Sequence, residues 1–235
     1  MNAYHDSVVK KITYLKRFAY FFFPAFFLSL ILLYLINPSV YLDFTYEDNG
    51  VEWLTFILLV ASGILSIIIA NGIRKKYRYF HWFFILFSVF TILAGLEEIS
   101  WGQRVFGVES PEFFKKHSDQ KEINLHNTFQ EKTRIKTKHI ALLVLFIYGV
   151  ILPLYINNKR YRFNKMFIVP PPFLIPAFLI TTLFMLDFPT EQEEEYGELL
   201  YSVAFFAFIL YNHQLYKLEE FCNIKPQSDV NKSSN

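Results

Sequence analysis

Six long apolar runs, at about 18–36, 53–73, 80–98, 139–156, 168–187 and 199–216, divide the chain, with polar segments between them. Each has roughly the 17–25 residues that an α-helix needs to cross a bilayer's hydrocarbon at 1.5 Å per residue. In lipid an open sheet would leave backbone groups unpaired, so helices are the structure these runs predict. The expected fold class is therefore all-α: a polytopic membrane protein of about six helices, forming one integral domain over residues 1–220, with a polar, disordered tail at 221–235. Pro153 and Pro176 are expected to kink the fourth and fifth helices, and Pro170, Pro171 and Pro172 to mark the entry of the fifth.

Charge orders these helices relative to the membrane. Lys10, Lys11, Lys16 and Arg17 precede the first run, Arg74, Lys75, Lys76 and Arg78 follow the second, and Lys159, Arg160, Arg162 and Lys165 follow the fourth. Basic connections favour the cytoplasm, so both termini are expected inside. The alternate connections are acidic, with Asp43, Glu47, Asp48 and Glu52 in one and Asp187 through Glu198 in another. Lys132, Arg134, Lys136 and Lys138 vote the other way, against three concordant segments. The first run is too long for a signal-peptide core and lacks a small-residue cleavage site after it, so it reads as a retained helix.

Composition agrees. Hydrophobic residues make up 53% of the 235 residues, more apolar surface than one soluble core could hide. A net charge of +2 gives no reason to expect a nucleic-acid partner. The lone thiol, Cys222, excludes an intrachain disulfide and any cysteine-based metal motif.

Candidate chemistry begins where the third run ends, at "LAGLEEISWGQR". Trp82 and Trp101, if both sit in the interfacial belts, span roughly 28 Å of helix and put Glu97 and Glu98 about 5 Å inside the boundary. Ionisable groups at that depth are costly and signal function by default, whereas at the rim they could simply meet water and pair with Arg104. On a continued helix Glu97, Ser100, Trp101 and Arg104 would share one face.

The connection that follows adds Ser110-Pro111-Glu112, which reads as the start of a short interfacial helix, and then Asn124, His126 and Asn127. A single histidine is a weak signal, strengthened here by amides that could fix its tautomer. The fifth connection carries Glu191, Glu193, Glu194, Glu195 and Glu198. Such a run usually solvates a helix start, but Glu194 and Glu198 stand at i and i+4, as do Glu191 and Glu195, which suits a hard cation or an acid–base pair. The candidate metal ligands are Glu98, His126, Glu194 and Glu198, with Zn, Mn or Fe as candidate ions. There is no HExxH or ExxH pair and no Gly-rich phosphate loop, and Ser100 has no GxSxG context.

The stretch from Glu97 to Phe129 resembles the signature of a family of bacterial multi-pass membrane proteins of unassigned activity, EEISWGQR followed by NLHN. The residues that match are Glu97, Glu98, Ser100, Trp101, Gly102, Gln103, Arg104, Asn124, Leu125, His126 and Asn127, while Asp119 stands where the family pattern has Asn. The resemblance implies a bacterial inner-membrane protein and supplies no reaction. A looser likeness, to membrane hydrolases such as alkaline ceramidases, lacks their several His and Asp ligands and is analogy only.

The leading expectation is a membrane-embedded enzyme acting on a lipid or lipid-linked substrate at the extracytoplasmic interface. Glu97, Glu98 and His126 are its candidate catalytic residues, with Ser100, Trp101, Gln103, Arg104, Asn124 and Asn127 for substrate binding. The alternatives are a non-catalytic protein that binds lipid, ion or partner subunit at the same residues, and a proton-coupled transporter. The transporter fits less well, since the inner parts of the runs carry almost no ionisable groups.

Overall fold

The computed structural model describes residues 3–43, 50–103, 107, 109–112, 137–158, 167–186 and 193–218. Among them there is no strand, and nearly all are helical. The helices are α1 (Ala3–Ile36), α2 (Pro38–Asp43), α3 (Gly50–Tyr77), α4 (Trp82–Glu98), α5 (Thr137–Phe146), α6 (Leu152–Asn158), α7 (Ile175–Met185) and α8 (Glu194–Lys217). Three stretches, Tyr4–Ile36, Gly50–Tyr77 and His139–Ile156, are long and apolar enough to cross a membrane, and Pro172–Met185 is a shorter apolar helix.

Several boundaries differ from those read in the sequence. The first helix begins at Ala3 rather than Phe18 and has 34 residues, or about 51 Å of length against roughly 30 Å of hydrocarbon. Its basic first half, which reads as a loop by hydropathy, simply continues the helix. Pro153 does not produce a simple kink. A proline ring crowds the carbonyl four residues earlier, here that of Gly149, and the backbone answers with a π-helical turn over Ile147–Ile151 that joins α5 to α6. Pro176 sits in the first turn of α7, where its missing N–H costs nothing, so it starts that helix instead of bending it. The fifth helix is accordingly shorter than the apolar run, being preceded by a 3₁₀ turn at Pro172–Leu174. The expected interfacial helix after Glu112, the 159–165 loop, the basic 132–136 segment and the 221–235 tail lie outside the described residues.

The central element is α8. Its buried residues, from Tyr196 through Leu199, Leu200, Ala204, Phe205 and Phe208 to Leu215, cover nearly its whole circumference. Around it stand α7, with Phe178 against Tyr201 and Phe205 and Phe184 against Tyr196, and α4, with Phe87 against Phe205 and Phe208. On another side Gly72 of α3 leaves room for the Tyr216 ring. A helix enclosed by other helices is shielded from lipid, so it can carry Ser202 and Asn212 in its apolar stretch. Both are fully buried, and both donate hydrogen bonds to backbone carbonyls, those of Leu199 and Phe167.

Small residues set the tight antiparallel contact of α3 with α4. Ser66 Oγ donates to the Phe84 carbonyl at 2.7 Å. A Cβ on Gly63 would lie 2.6 Å from Ile92 Cγ1, and one on Gly95 would lie 3.3 Å from Leu59 Cβ. Close backbone approach of this kind is the usual source of helix association in lipid, where the hydrophobic effect gives none.

Candidate functional site

Three helix ends meet at one end of the bundle: the starts of α3 and α8 and the end of α4. The register of the preceding contacts brings them there. Along α3 and α4 the pairs run Ser66 with Phe84, Gly63 with Thr91 and Ile92, and Leu59 with Gly95. One further turn sets Thr55 and Glu52 at the level of Glu98. α3 and α8 run in the same direction, Gly72 lying beside Tyr216, so the first turns of both helices fall at that level too.

The side chains of Glu98 and Glu198 lie within hydrogen-bonding reach of each other. Two carboxyl groups can join in this way only with a proton between them, because an ionised carboxylate has no donor. Glu195, Glu52 and Glu194 stand close enough for their charges to act on Glu98. Five acidic side chains from three helices therefore share one region. Thr55 lies on the Glu52 face of α3, three residues on; it is 1% exposed, and its Oγ1 has no hydrogen-bond partner. A buried hydroxyl in that state costs about 1–3 kcal/mol unless something outside the chain satisfies it.

Beside the acids is an aromatic clamp. Tyr41 of α2 donates its hydroxyl proton to Glu193 Oε1 at 2.8 Å, and Tyr196 of α8 donates to the Tyr41 carbonyl at 2.7 Å. Glu193 is fully buried immediately before α8. The Tyr41 ring contacts those of Tyr34 and Tyr196, each at 5.3 Å between centroids. The clamp fixes where α8 begins, and with it the direction in which Glu194, Glu195 and Glu198 project.

The residues after Glu98 correct the expectation of a continued helix. α4 ends there, and Ser100, Trp101 and Gly102 follow with φ of 46°, 57° and 76°. Two consecutive non-glycine residues in the left-handed region cost about 1–2 kcal/mol each. The turn breaks the single face predicted to run from Glu97 through Ser100 and Trp101. Glu97 and Trp101 nevertheless meet, since the indole Nε1 donates to Glu97 Oε2 at 2.6 Å. Gln103 Nε2 donates to the oxygen of buried Ser110 at 2.5 Å, tying the start of the long connection to the turn.

Of the residues singled out in the sequence, the structure thus gathers Glu98, Glu194, Glu195 and Glu198. It pairs Glu97 with Trp101, buries Ser100, and links Gln103 to Ser110. Arg104, Asn124, His126, Asn127 and Glu191 lie outside the described residues. Glu52, Thr55 and the Tyr41–Glu193 contact were not singled out as site residues. The signal for Glu52 and Thr55 was modest: an acid and a hydroxyl three residues apart in the first turn of a run read as membrane-spanning. Among the described residues no three His, Cys, Asp or Glu side chains form a group that could hold a metal ion; of the four ligands expected from sequence, His126 lies outside those residues. Comparison with protein-family models, curated proteins and solved structures finds no match.

Proposed function

We propose that this chain is a six-helix protein of a bacterial inner membrane, with both termini cytoplasmic. In this reading the acid-lined end is an extracytoplasmic enzyme centre for a lipid or lipid-linked substrate. The orientation is supported by the basic groups. Lys10, Lys11, Lys16 and Arg17 of α1, Arg74, Lys75 and Lys76 of α3, and Lys217 of α8 belong to the helix ends opposite the acids. The membrane-family resemblance of EEISWGQR and NLHN points the same way.

The observation that carries the catalytic reading is the Glu98–Glu198 pair. It sets two carboxyl groups side by side, and a pair that shares one proton lets one residue give a proton to a leaving oxygen while its neighbour takes one from water or a hydroxyl. The Tyr41–Glu193 clamp and the turn at Ser100–Gly102 hold the two helix ends that carry the pair. Arg104 would hold a phosphate or carboxylate of the substrate, His126 would relay the proton, and Asn124 and Asn127 would orient the headgroup.

The test is turnover of a membrane lipid extract by the full chain in liposomes, followed by mass spectrometry. Glu98→Gln and Glu198→Gln should each lower the rate by about 10²–10⁴-fold, the range for losing a positioned acid or base. Equal product formation by both variants and the wild type would remove the catalytic pair from the reading.

A further inference from the structure

We propose that the turn joining α3 to α4 docks the headgroup of an anionic phospholipid of the phosphatidylglycerol type, in the leaflet at the end of the bundle opposite the acids. The inference rests on the membrane reading of the helices and is independent of the acid pair.

Charge and depth come from the chain itself. Between Trp53 and Leu96 the sequence has no Asp or Glu, whereas Arg74, Lys75, Lys76 and Arg78 follow one another at the end of α3, and all four are exposed. Their charge is therefore unopposed along both helices of the hairpin. Trp53 lies in the first turn of α3, and from it to Arg74 the helix rises about 31 Å, close to the thickness of the hydrocarbon. A helix that enters the bilayer at Trp53 thus delivers these cations to the depth of the opposite lipid phosphates. Cations in a last helical turn also complement the helix dipole, but that effect gives no reason for the aromatic groups that accompany them.

The turn folds those groups onto the basic helix end. The Arg78 N–H donates to the Arg74 carbonyl at 3.1 Å, and Arg78 then takes a φ of 55°, the left-handed position where glycine is usual. The reversal sets the Phe80 ring against Arg74, with the guanidinium carbon 5.9 Å from the ring centroid, and Phe80 packs edge-on against Trp82 at 4.5 Å. His81, between them, turns inward against Phe84. Phe80 and Trp82 are left outside, Trp82 at 66% exposure. On α8, Gly72 of α3 meets the Tyr216 ring, which brings the next residue, Lys217, to the same end.

Cations beside exposed aromatic rings at phosphate depth fit an amphipathic anion. A guanidinium over a ring keeps the hydrogen-bonding groups of its own plane available for a phosphate. Arg74, Lys75 and Arg78 would hold the phosphodiester, while Phe80 and Trp82 would receive the glycerol and the first methylenes. A zwitterionic lipid adds an ammonium group that the basic turn repels, so the charge selects the anionic headgroup. Among the described residues Asp6 is the acid at this end, and it belongs to α1, which packs against α7 and α8.

The experiment uses the full chain with Trp53→Phe and Trp101→Phe, which leaves Trp82 as the one indole of three. Its fluorescence is quenched in nanodiscs by brominated phosphatidylglycerol or brominated phosphatidylcholine, and the ratio of the two affinities is measured. Each Lys or Arg near the surface is worth about fivefold, so we expect a preference of about tenfold or more for phosphatidylglycerol. Arg74→Gln with Arg78→Gln should bring the ratio near parity. Arg78→Gly, which suits the left-handed backbone and so keeps the turn, should lower it about fivefold. Lys16→Gln with Arg17→Gln removes the same charge from α1 and should leave the ratio within about twofold of its starting value. Parity in the starting protein overturns the site. So does a preference that survives the paired hairpin substitution or Arg78→Gly, or one that falls equally with the α1 substitutions, which would show a diffuse field. No lipid turnover enters this readout, so its failure leaves the enzyme proposal standing.

Discussion

Replacing Tyr41 by Phe removes a single oxygen from the clamp that sets the start of α8. The hydroxyl donates to Glu193 Oε1 at 2.8 Å, and both residues are buried, Tyr41 at 1% exposure and Glu193 at 0%. The aromatic ring remains, so its contacts with Tyr34 and Tyr196 survive. What is lost is a hydrogen bond to a carboxylate, worth about 1.5–3 kcal/mol in a buried setting. On the scaling for domains of 150–250 residues, about 2–4 °C per kcal/mol, the midpoint should fall by roughly 3–12 °C. Tyr196→Phe is the matched control: it removes a hydroxyl that donates to a backbone carbonyl, a neutral contact worth about 0.5–1.5 kcal/mol. The assay is thermal denaturation of detergent-solubilised protein followed by size-exclusion chromatography. A cycle of Tyr41→Phe, Glu193→Gln and the double variant should show a coupling energy of about 0.5–3 kcal/mol. If Tyr41→Phe falls within about 0.5 kcal/mol of wild type, as a surface substitution would, or if the cycle shows no coupling, Glu193 does not depend on Tyr41 and the clamp does not hold α8.

Two further outcomes can be checked. Gly149→Ala sets a methyl group against the Phe178 ring, 2.7 Å from its Cβ; it should cost about 1–3 kcal/mol in thermal denaturation and be partly rescued by Phe178→Leu. In a Cys222→Ser background, Asp43→Cys should react with a membrane-impermeant maleimide on intact cells and Lys75→Cys only after lysis; the reverse pattern turns the proposed topology over.

The helical architecture was legible because twenty-residue apolar runs are an emphatic pattern, and lipid leaves backbone few other choices. Boundaries were less so, for reasons that particular residues show. Hydropathy reads Lys10, Lys11, Lys16 and Arg17 as a segment before the first helix, although a helix can carry such residues without unwinding, as α1 does. Pro153 announced an irregularity, but only packing reveals its form. The π turn brings Gly149, which has no Cβ to clash, against Phe178, and lets the Tyr148 hydroxyl reach the Ile168 carbonyl at 2.6 Å.

The acid site was half legible for the same physical reason. Glu194 and Glu198 follow from helical spacing, which is written in one chain segment, and Glu98 from its place at the end of an apolar run. Glu52 and Thr55 join them only through the α3–α4 register, and that register depends on which small residue receives which side chain: Gly63 receives Ile92, and Gly95 approaches Leu59. Shifting α3 along α4 by one helical turn would keep both hydropathy profiles and carry Thr55 about 5.4 Å from the level of Glu98. The glycines are therefore as much a condition of the site as its carboxylates. A bulky residue at position 95, pressing on Leu59 and Val60, would disturb the meeting of Glu98 and Glu198 without touching either of them.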